Sequence, residues 1–327
     1  MINVDAKLKD GFFEKDAESK PTRDGFGLGT VEAGKADANV VVLCADLAES
    51  TRAEWFQKEF PDRFIEMGVA EQNMAATGAG FAAAGKIPYI ASYAAFSPGR
   101  NYEQIRTTIA LNEQKVIIGG MHAGVSVGPD GATHQMLEDI GLMRMLPNMR
   151  VVNPIDAEEA RKATLLAASA EGPTYIRYGR SATPVVTTSE TPFAFGKALV
   201  LWRSDKPKIT IISTGSLSYN ALMAARALES EGIGSIVVHV HTIKPLDART
   251  IVESAKATGR VLTLEEHQVA GGMGSAVAEL LSDVYPVKIK RLGIEDTFGQ
   301  SGTPEELISF YKLDPPSITL KARALLR

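Results

Sequence analysis

Four short segments carry side chains whose type and spacing suit chemistry. The first is Gly68-Val69-Ala70-Glu71-Gln72-Asn73, where a strand over Arg63–Glu66 is expected to end and a helix to begin. Glu71 then sits beside the helix N-terminus, where a carboxylate complements the backbone dipole whether or not it reacts. Behind it, Met74–Gly85 holds three glycines and seven alanine or threonine residues in twelve positions. Small residues of that kind permit close helix approach, as at a subunit interface. The second segment is Ser92-Tyr93-Ala94-Ala95-Phe96-Ser97, at the carboxyl end of an expected parallel strand. Ligands of open α/β sheets lie at such strand ends, and an aromatic ring there can stack on a flat ligand or pack on the core. The third runs from His122-Ala123-Gly124 to Gly128-Pro129-Asp130-Gly131-Ala132-Thr133-His134-Gln135. Two of the five histidines and an aspartate share this glycine-rich loop. Loop histidines on a rigid scaffold suit proton transfer and hydroxyl binding, whereas a spacing of twelve with no nearby cysteine suits zinc poorly. The fourth is Arg177-Tyr178-Gly179-Arg180 after an expected strand over Thr174–Ile176. Its guanidinium groups suit phosphate or carboxylate, or a plain salt bridge.

The elements that must position these groups alternate in type. Val40–Ala45, Ile87–Ser92, Lys115–Ile118, Arg150–Val152 and Thr174–Tyr178 read as strands, and their near-continuous apolar character suits a parallel sheet covered on both faces. Ser97-Pro98 reads as the start of a helix over Gly99–Asn112. Asp156 with Glu159 reads as a capping pair before Ala160–Ser169. The Thr-, Ser- and Pro-rich stretch Ser181–Gly196 interrupts the alternation as a linker. A second series follows, with strands at Lys208–Ser213, Ser235–Val240 and Arg260–Leu264, and helices at Leu217–Glu231, after Asp247, and at Gly274–Asp283. The expected fold is therefore α/β, with two doubly wound domains and mostly parallel sheets. The expected division is residues 1–185, a linker at 186–200 and a second domain at 201–327. Gly271-Gly272-Met273-Gly274 reads as a tight turn into a helix, because it lacks the lysine of a P-loop and the spacing of a dinucleotide fingerprint. His239, His241, His267 and the Glu265-Glu266 pair read as structural.

Composition narrows the classes. The 327 residues are 45% hydrophobic and 23% charged, as in ordinary globular proteins. A net charge of −4 gives no reason to expect a nucleic-acid or anionic-membrane partner. No apolar stretch approaches the roughly 20 residues of a membrane span, and the charged first twenty residues lack the apolar core of a signal peptide. Cys44 is the only cysteine and lies in a strand-like run, so a reducing cytoplasm is expected.

In order and spacing, the segments around Asp46-Leu47-Ala48-Glu49-Ser50, GVAEQNM, SYAAF, DGATHQ and GPTYIRYGR resemble the carboxyl-terminal half of transketolase, from about Thr22 to the end. The resemblance implies a domain that binds the pyrimidine of thiamine diphosphate, followed by the transketolase C-terminal domain. It implies that Glu71 hydrogen-bonds ring nitrogen N1′ and favours the tautomer that can deprotonate the thiazolium carbon. A carboxyl that shares a proton with a weakly basic ring nitrogen needs shielding from water. Phe96 then stacks on the pyrimidine and Tyr93 forms a neighbouring wall. His122, Asp130 and His134 bind sugar hydroxyls, and the two histidines assist proton transfer. Arg23, Ser50 and Arg180 grip the substrate phosphate.

One departure from the family pattern matters. Complete enzymes carry an upstream Gly-Asp-Gly segment and a later Asn that hold Mg²⁺ and the diphosphate, and no Gly-Asp-Gly occurs in this chain. The resemblance thus implies one subunit of a split transketolase. It would work with an N-terminal subunit that holds the Mg²⁺, two copies of each chain, and would be inactive alone. No metal ligands are expected in this chain. The rival resemblances are to half of a 1-deoxyxylulose-5-phosphate synthase and to the beta subunit of a 2-oxo acid dehydrogenase. The latter needs no sugar-phosphate grip. A non-catalytic assembly subunit is disfavoured because Glu71, Phe96, His122 and His134 are all retained.

Overall fold

The computed structural model describes residues 1–327. Six strands of the first half, β1 (Val40–Cys44), β2 (Phe64–Glu66), β3 (Ile87–Tyr93), β4 (Ile117–Met121), β5 (Arg150–Val152) and β6 (Thr174–Arg177), form one parallel sheet. Strands β1 and β4 are buried at every position, which explains their unbroken apolar runs. A second sheet contains β7 (Leu199–Arg203), β8 (Pro207–Ser213), β9 (Gly234–His239), β11 (Arg260–Gln268) and β12 (Lys288–Ile294) in the order β12-β11-β8-β9-β7. Its members are parallel except β7, which pairs antiparallel at the edge. The intervening strand β10 (Thr242–Lys244) leaves the second series and adds antiparallel to β5, giving the first sheet the order β10-β5-β6-β4-β3-β1-β2. The α/β class with mostly parallel sheets holds.

Helices cover both sheets. In the first half they include α1 (Thr22–Ala36), α2 (Glu71–Ala83) and α3 (Ala157–Ala167). In the second they are α4 (Leu217–Ser230), α5 (Ala248–Thr258), α6 (Met273–Val284), α7 (Pro304–Phe310) and α8 (Pro315–Leu326). No helix is long and apolar enough to cross a membrane. Asp156 caps α3 by accepting from the Glu159 N–H, and Asp247 caps α5 by accepting from the Thr250 N–H. The turn before α6 has a chemical reason: both oxygens of the buried Glu265 carboxyl accept N–H bonds from Met273 and Gly274.

Two local expectations change. Ser97 does not start a helix. Its hydroxyl accepts from Asn101 Nδ2 at 3.1 Å, and helical turns begin at Tyr102, continuing as a π-helix over Ile105–Ala110. Within the stretch read as a linker, Ala182–Pro184 pairs antiparallel with Ser19–Pro21, a ribbon between residues too distant in sequence to announce itself.

The two sheets are laced together. Near the chain's start, the Asn3 N–H bonds Leu201 O on β7, while β10 extends the first sheet. Between them runs a buried polar seam. His239 Nε2 lies 2.8 Å from Glu159 Oε2, and Arg177 Nη2 donates to Glu266 O at 2.8 Å. His239, His241 and His267 are all buried.

Candidate active site

The carboxyl ends of β2, β3, β4 and β6 converge on one face, and the candidate residues follow them. After β2 the Glu66 carboxylate accepts from the Gly68 N–H at 2.9 Å, and Gly68 turns the chain with a positive φ of 67°. Ala70 offers no capping side chain, so α2 opens with Glu71 itself. Glu71 is 1% exposed. Its Oε2 accepts from Arg100 Nη1 at 2.7 Å, and Asn101 Nδ2 donates to its backbone carbonyl at 3.0 Å. Its other oxygen, Oε1, accepts no hydrogen bond from the chain. The pairing with Arg100 offsets the cost of burying the carboxylate.

An aromatic wall rises from the end of β3. The Tyr93 and Phe96 rings lie 5.8 Å apart and 10° from parallel. The His122 ring lies 4.2 Å from Tyr93, and His134 is edge-on to Phe96 at 5.5 Å. The Arg100 guanidinium sits 4.7 Å over the Phe96 ring, so one cation touches both the buried carboxylate and the stacking surface.

His122 opens the loop after β4 with a φ of 54°. Arg23, in the first turn of α1, reaches it from the side: Nη1 lies 3.1 Å from His122 Nε2 and donates to the Ser50 carbonyl at 2.8 Å. A guanidinium only donates, so His122 Nε2 accepts from Arg23 in the tautomer protonated at Nδ1. That Nδ1 is buried and has no partner in the chain. Burial, reinforced by the charges of Arg23 and Arg180, lowers the His122 pKa to about 3. The ring is therefore neutral through the physiological range. Arg180 Nη1 pairs with Asp130 Oδ1 at 3.0 Å, and both side chains remain partly exposed. His134 Nδ1 contacts Thr133 Oγ1 at 2.9 Å.

The structure thus brings the candidate residues into one contiguous region. Glu71, Arg100, Phe96, Tyr93, His122, Arg23 and Ser50 form a continuous chain of contacts, with His134 against the aromatic pair. Arg180 and Asp130 stand near enough for Arg180 to act on the His122 charge. Sequence reasoning missed Arg100, which lies 29 residues after Glu71 and looks like any exposed arginine in a turn. The two arginines of the Arg177-x-x-Arg180 segment separate. Arg180 faces the site, while Arg177 is buried against Asp139 at 2.8 Å.

The His122 pKa carries a testable pH effect. An ordinary histidine titrates near 6.5. The unfolded chain therefore takes up a proton that the folded chain refuses, and His122 removes stability as pH falls from about 6.5 to about 3. The expected observation is a His122 ring signal that does not titrate above pH 5, measured by heteronuclear NMR against a His122→Gln control. A midpoint near 6.5 would contradict the assignment.

Comparison with known proteins places this geometry. Residues 18–186 match the pyrimidine-binding domain of transketolase, and residues 196–318 match the transketolase C-terminal domain. The chain is an α/β protein of the transketolase family. Within the family it corresponds to the pyrimidine-binding and C-terminal parts. It is 42% identical, over 91% of its length and 94% of the other's, to a protein of Methanocaldococcus jannaschii described as a transketolase C-terminal section. It is 36% identical to the transketolase of Homo sapiens over 93% of its own length, but spans only 49% of that enzyme. Among solved structures, one titled a split gene transketolase in an inactive beta4 tetramer superposes with a TM-score of 0.86 at 44% identity, covering 94% of this chain and 99% of that one.

Proposed function

We propose that this chain is the C-terminal subunit of a split, thiamine-diphosphate-dependent transketolase. It would transfer a two-carbon ketol unit from a ketose phosphate to an aldose phosphate. One observation carries the reading: a buried carboxylate with one open oxygen stands beside an aromatic wall, next to a neutral histidine flanked by two arginines. The residues fit an aminopyrimidine. Glu71 Oε1 is the open acceptor beside the Phe96 and Tyr93 rings. When bound, thiamine diphosphate supplies an acidic thiazolium carbon that can attack a ketose carbonyl and hold the resulting electron pair.

The chain's own residues do the rest. Glu71 holds a proton at ring nitrogen N1′ in a site shielded from water. Phe96 stacks on the pyrimidine and Tyr93 walls it in. His122 meets a sugar hydroxyl from beside the aromatic wall, its ring held in place by Arg23. His134 and Asp130 meet sugar hydroxyls, and His134 moves protons with His122. Arg23, Ser50 and Arg180 grip the phosphate, with Arg180 exchanging its Asp130 partner for it. Mg²⁺ and the diphosphate belong to an N-terminal subunit, two copies of each chain making the working enzyme in the cytoplasm. The match over 94% of a transketolase C-terminal section and over 99% of a split gene transketolase chain supports that division.

A mixing assay tests the proposal. The chain is assayed for ketol transfer with thiamine diphosphate and Mg²⁺, alone and with the polypeptide that carries Gly-Asp-Gly. Activity only in the mixture is expected. Pyruvate-dependent condensation or decarboxylation in place of ketol transfer would refute it. In the active mixture, Arg180→Ala should raise the apparent KM for phosphorylated sugars about 10- to 100-fold, the worth of a charge-assisted hydrogen bond. Unphosphorylated sugars should change little. An equal effect on both would remove Arg180 from the phosphate grip.

A further inference from the structure

The second sheet has a site of its own. The chain leaves β8 for α4 and β9 on one side, and later returns to place β11 on the other. The carboxyl ends of β8 and β11 thus flank a topological switch point, where open α/β sheets form their ligand crevices. A cavity of about 260 Å³ lies there, roofed by loops of the first half. It is lined by the turn Thr214–Leu217 after β8, by Glu266 on β11, and by Asn153 and Ser126 from the first half.

Three groups face this space with hydrogen-bonding capacity unused. The Ser216 N–H, at the start of the fourteen-residue helix α4, has no partner, and the Ser216 side chain caps nothing. Asn153 is 6% exposed and is tied down through its backbone alone, donating to His241 O and accepting from the Gly215 N–H. Its side-chain amide bonds nothing in the chain. It also packs so closely on Gly215 that a Cβ there would come within 2.6 Å of Asn153 Nδ2, which fixes the amide against the turn. Glu266 is 6% exposed and holds the Ser126 N–H with Oε1, while Oε2 has no partner. The amide and the carboxylate oxygen open onto the cavity, where their hydrogen bonds are free for a ligand to take from water.

The geometry points to a second small-molecule site in this cavity, for a compact anion that bears hydroxyl groups. The anionic head, carboxylate or phosphate, meets the Ser216 N–H at the α4 N-terminus, where the dipole favours negative charge. The hydroxyls meet the Asn153 amide and Glu266 Oε2. Burial raises the Glu266 pKa, against the opposing charge of Arg177 and the Ser126 N–H. Because Glu266 also holds the Ser126 N–H, the site touches the His122–His134 loop from behind.

Titration calorimetry on the full chain tests this with glycerol 3-phosphate and glycerate as probes, and with glycerol and inorganic phosphate as controls. At least one charged probe is expected to bind more tightly than either control. Asn153→Ala should weaken it at least about tenfold and the isosteric Glu266→Gln measurably, while Arg180→Ala leaves it unchanged. Circular dichroism verifies that each variant is folded. Absence of binding at about 10 mM overturns the proposal. So does binding that is lost in Arg180→Ala and kept in Asn153→Ala, which would place the probe on the substrate face. Binding indifferent to both cavity substitutions, or inorganic phosphate matching glycerol 3-phosphate, overturns it equally.

Discussion

Glu71→Gln should lower ketol transfer in the active mixture at least about 10²-fold while leaving the chain folded and able to assemble, since general acid–base groups contribute roughly 10²–10⁴. The isosteric amide keeps an oxygen acceptor for Arg100 Nη1, so the contact at 2.7 Å survives in weaker form. The Asn101 bond to the Glu71 backbone carbonyl does not depend on the side chain. What the amide cannot do is hold and return a proton at a ring nitrogen. The loss should therefore fall on turnover more than on the KM for sugar. Rate measurements at saturating cofactor, with circular dichroism and size-exclusion profiles of the variant, decide the matter. Near wild-type turnover would remove Glu71 from the chemistry.

Arg177→Met should destabilise the chain by about 3–5 kcal/mol, the usual cost of stranding one member of a buried ion pair. Asp139 is fully buried, and its Oδ2 accepts from Arg177 Nε at 2.8 Å and from the Tyr175 hydroxyl at 2.7 Å. Its Oδ1 has no partner, so removing the guanidinium leaves the carboxylate with a single neutral donor. Arg177 Nη2 also donates to Met136 O and Glu266 O, so the same change opens the seam between the two sheets. Pairing it with Asp139→Asn should restore much of the loss, because no buried charge then stands alone. Urea-unfolding midpoints of the three variants provide the check. A single-variant loss below about 1 kcal/mol would mean that water reaches Asp139.

Much of this was legible in the residues. Val40–Ala45 announced a strand buried on both faces, observed over Val40–Cys44, and Asp156 and Asp247 announced helix starts, because these signals are local. The site segments were readable because each follows a strand end. Their convergence was not, since it depends on which strands become neighbours. Arg23 and His122 lie 99 positions apart and meet only because α1 packs beside the end of β4. Ser97-Pro98 misled because a serine before a proline fits a cap and a turn equally well, and Asn101 takes the hydroxyl. Strand β7 carries an unbroken apolar run, Ala198–Trp202, but it hid because the run adjoins the Thr-, Ser- and Pro-rich stretch and half of it falls inside the expected linker. The Arg100 contact with Glu71 had no sequence signal at all.

The lacing of the two sheets has a consequence for what a protease would see. A single cut between residues 186 and 196 would sever the connection in the chain but not the body. Residue Asn3 would still be hydrogen-bonded to Leu201, and the Thr242–Lys244 strand would still complete the first sheet. The nicked molecule should migrate as one particle under native conditions and as two fragments in detergent, as a pair of interlocked hooks stays together after the cord between them is cut.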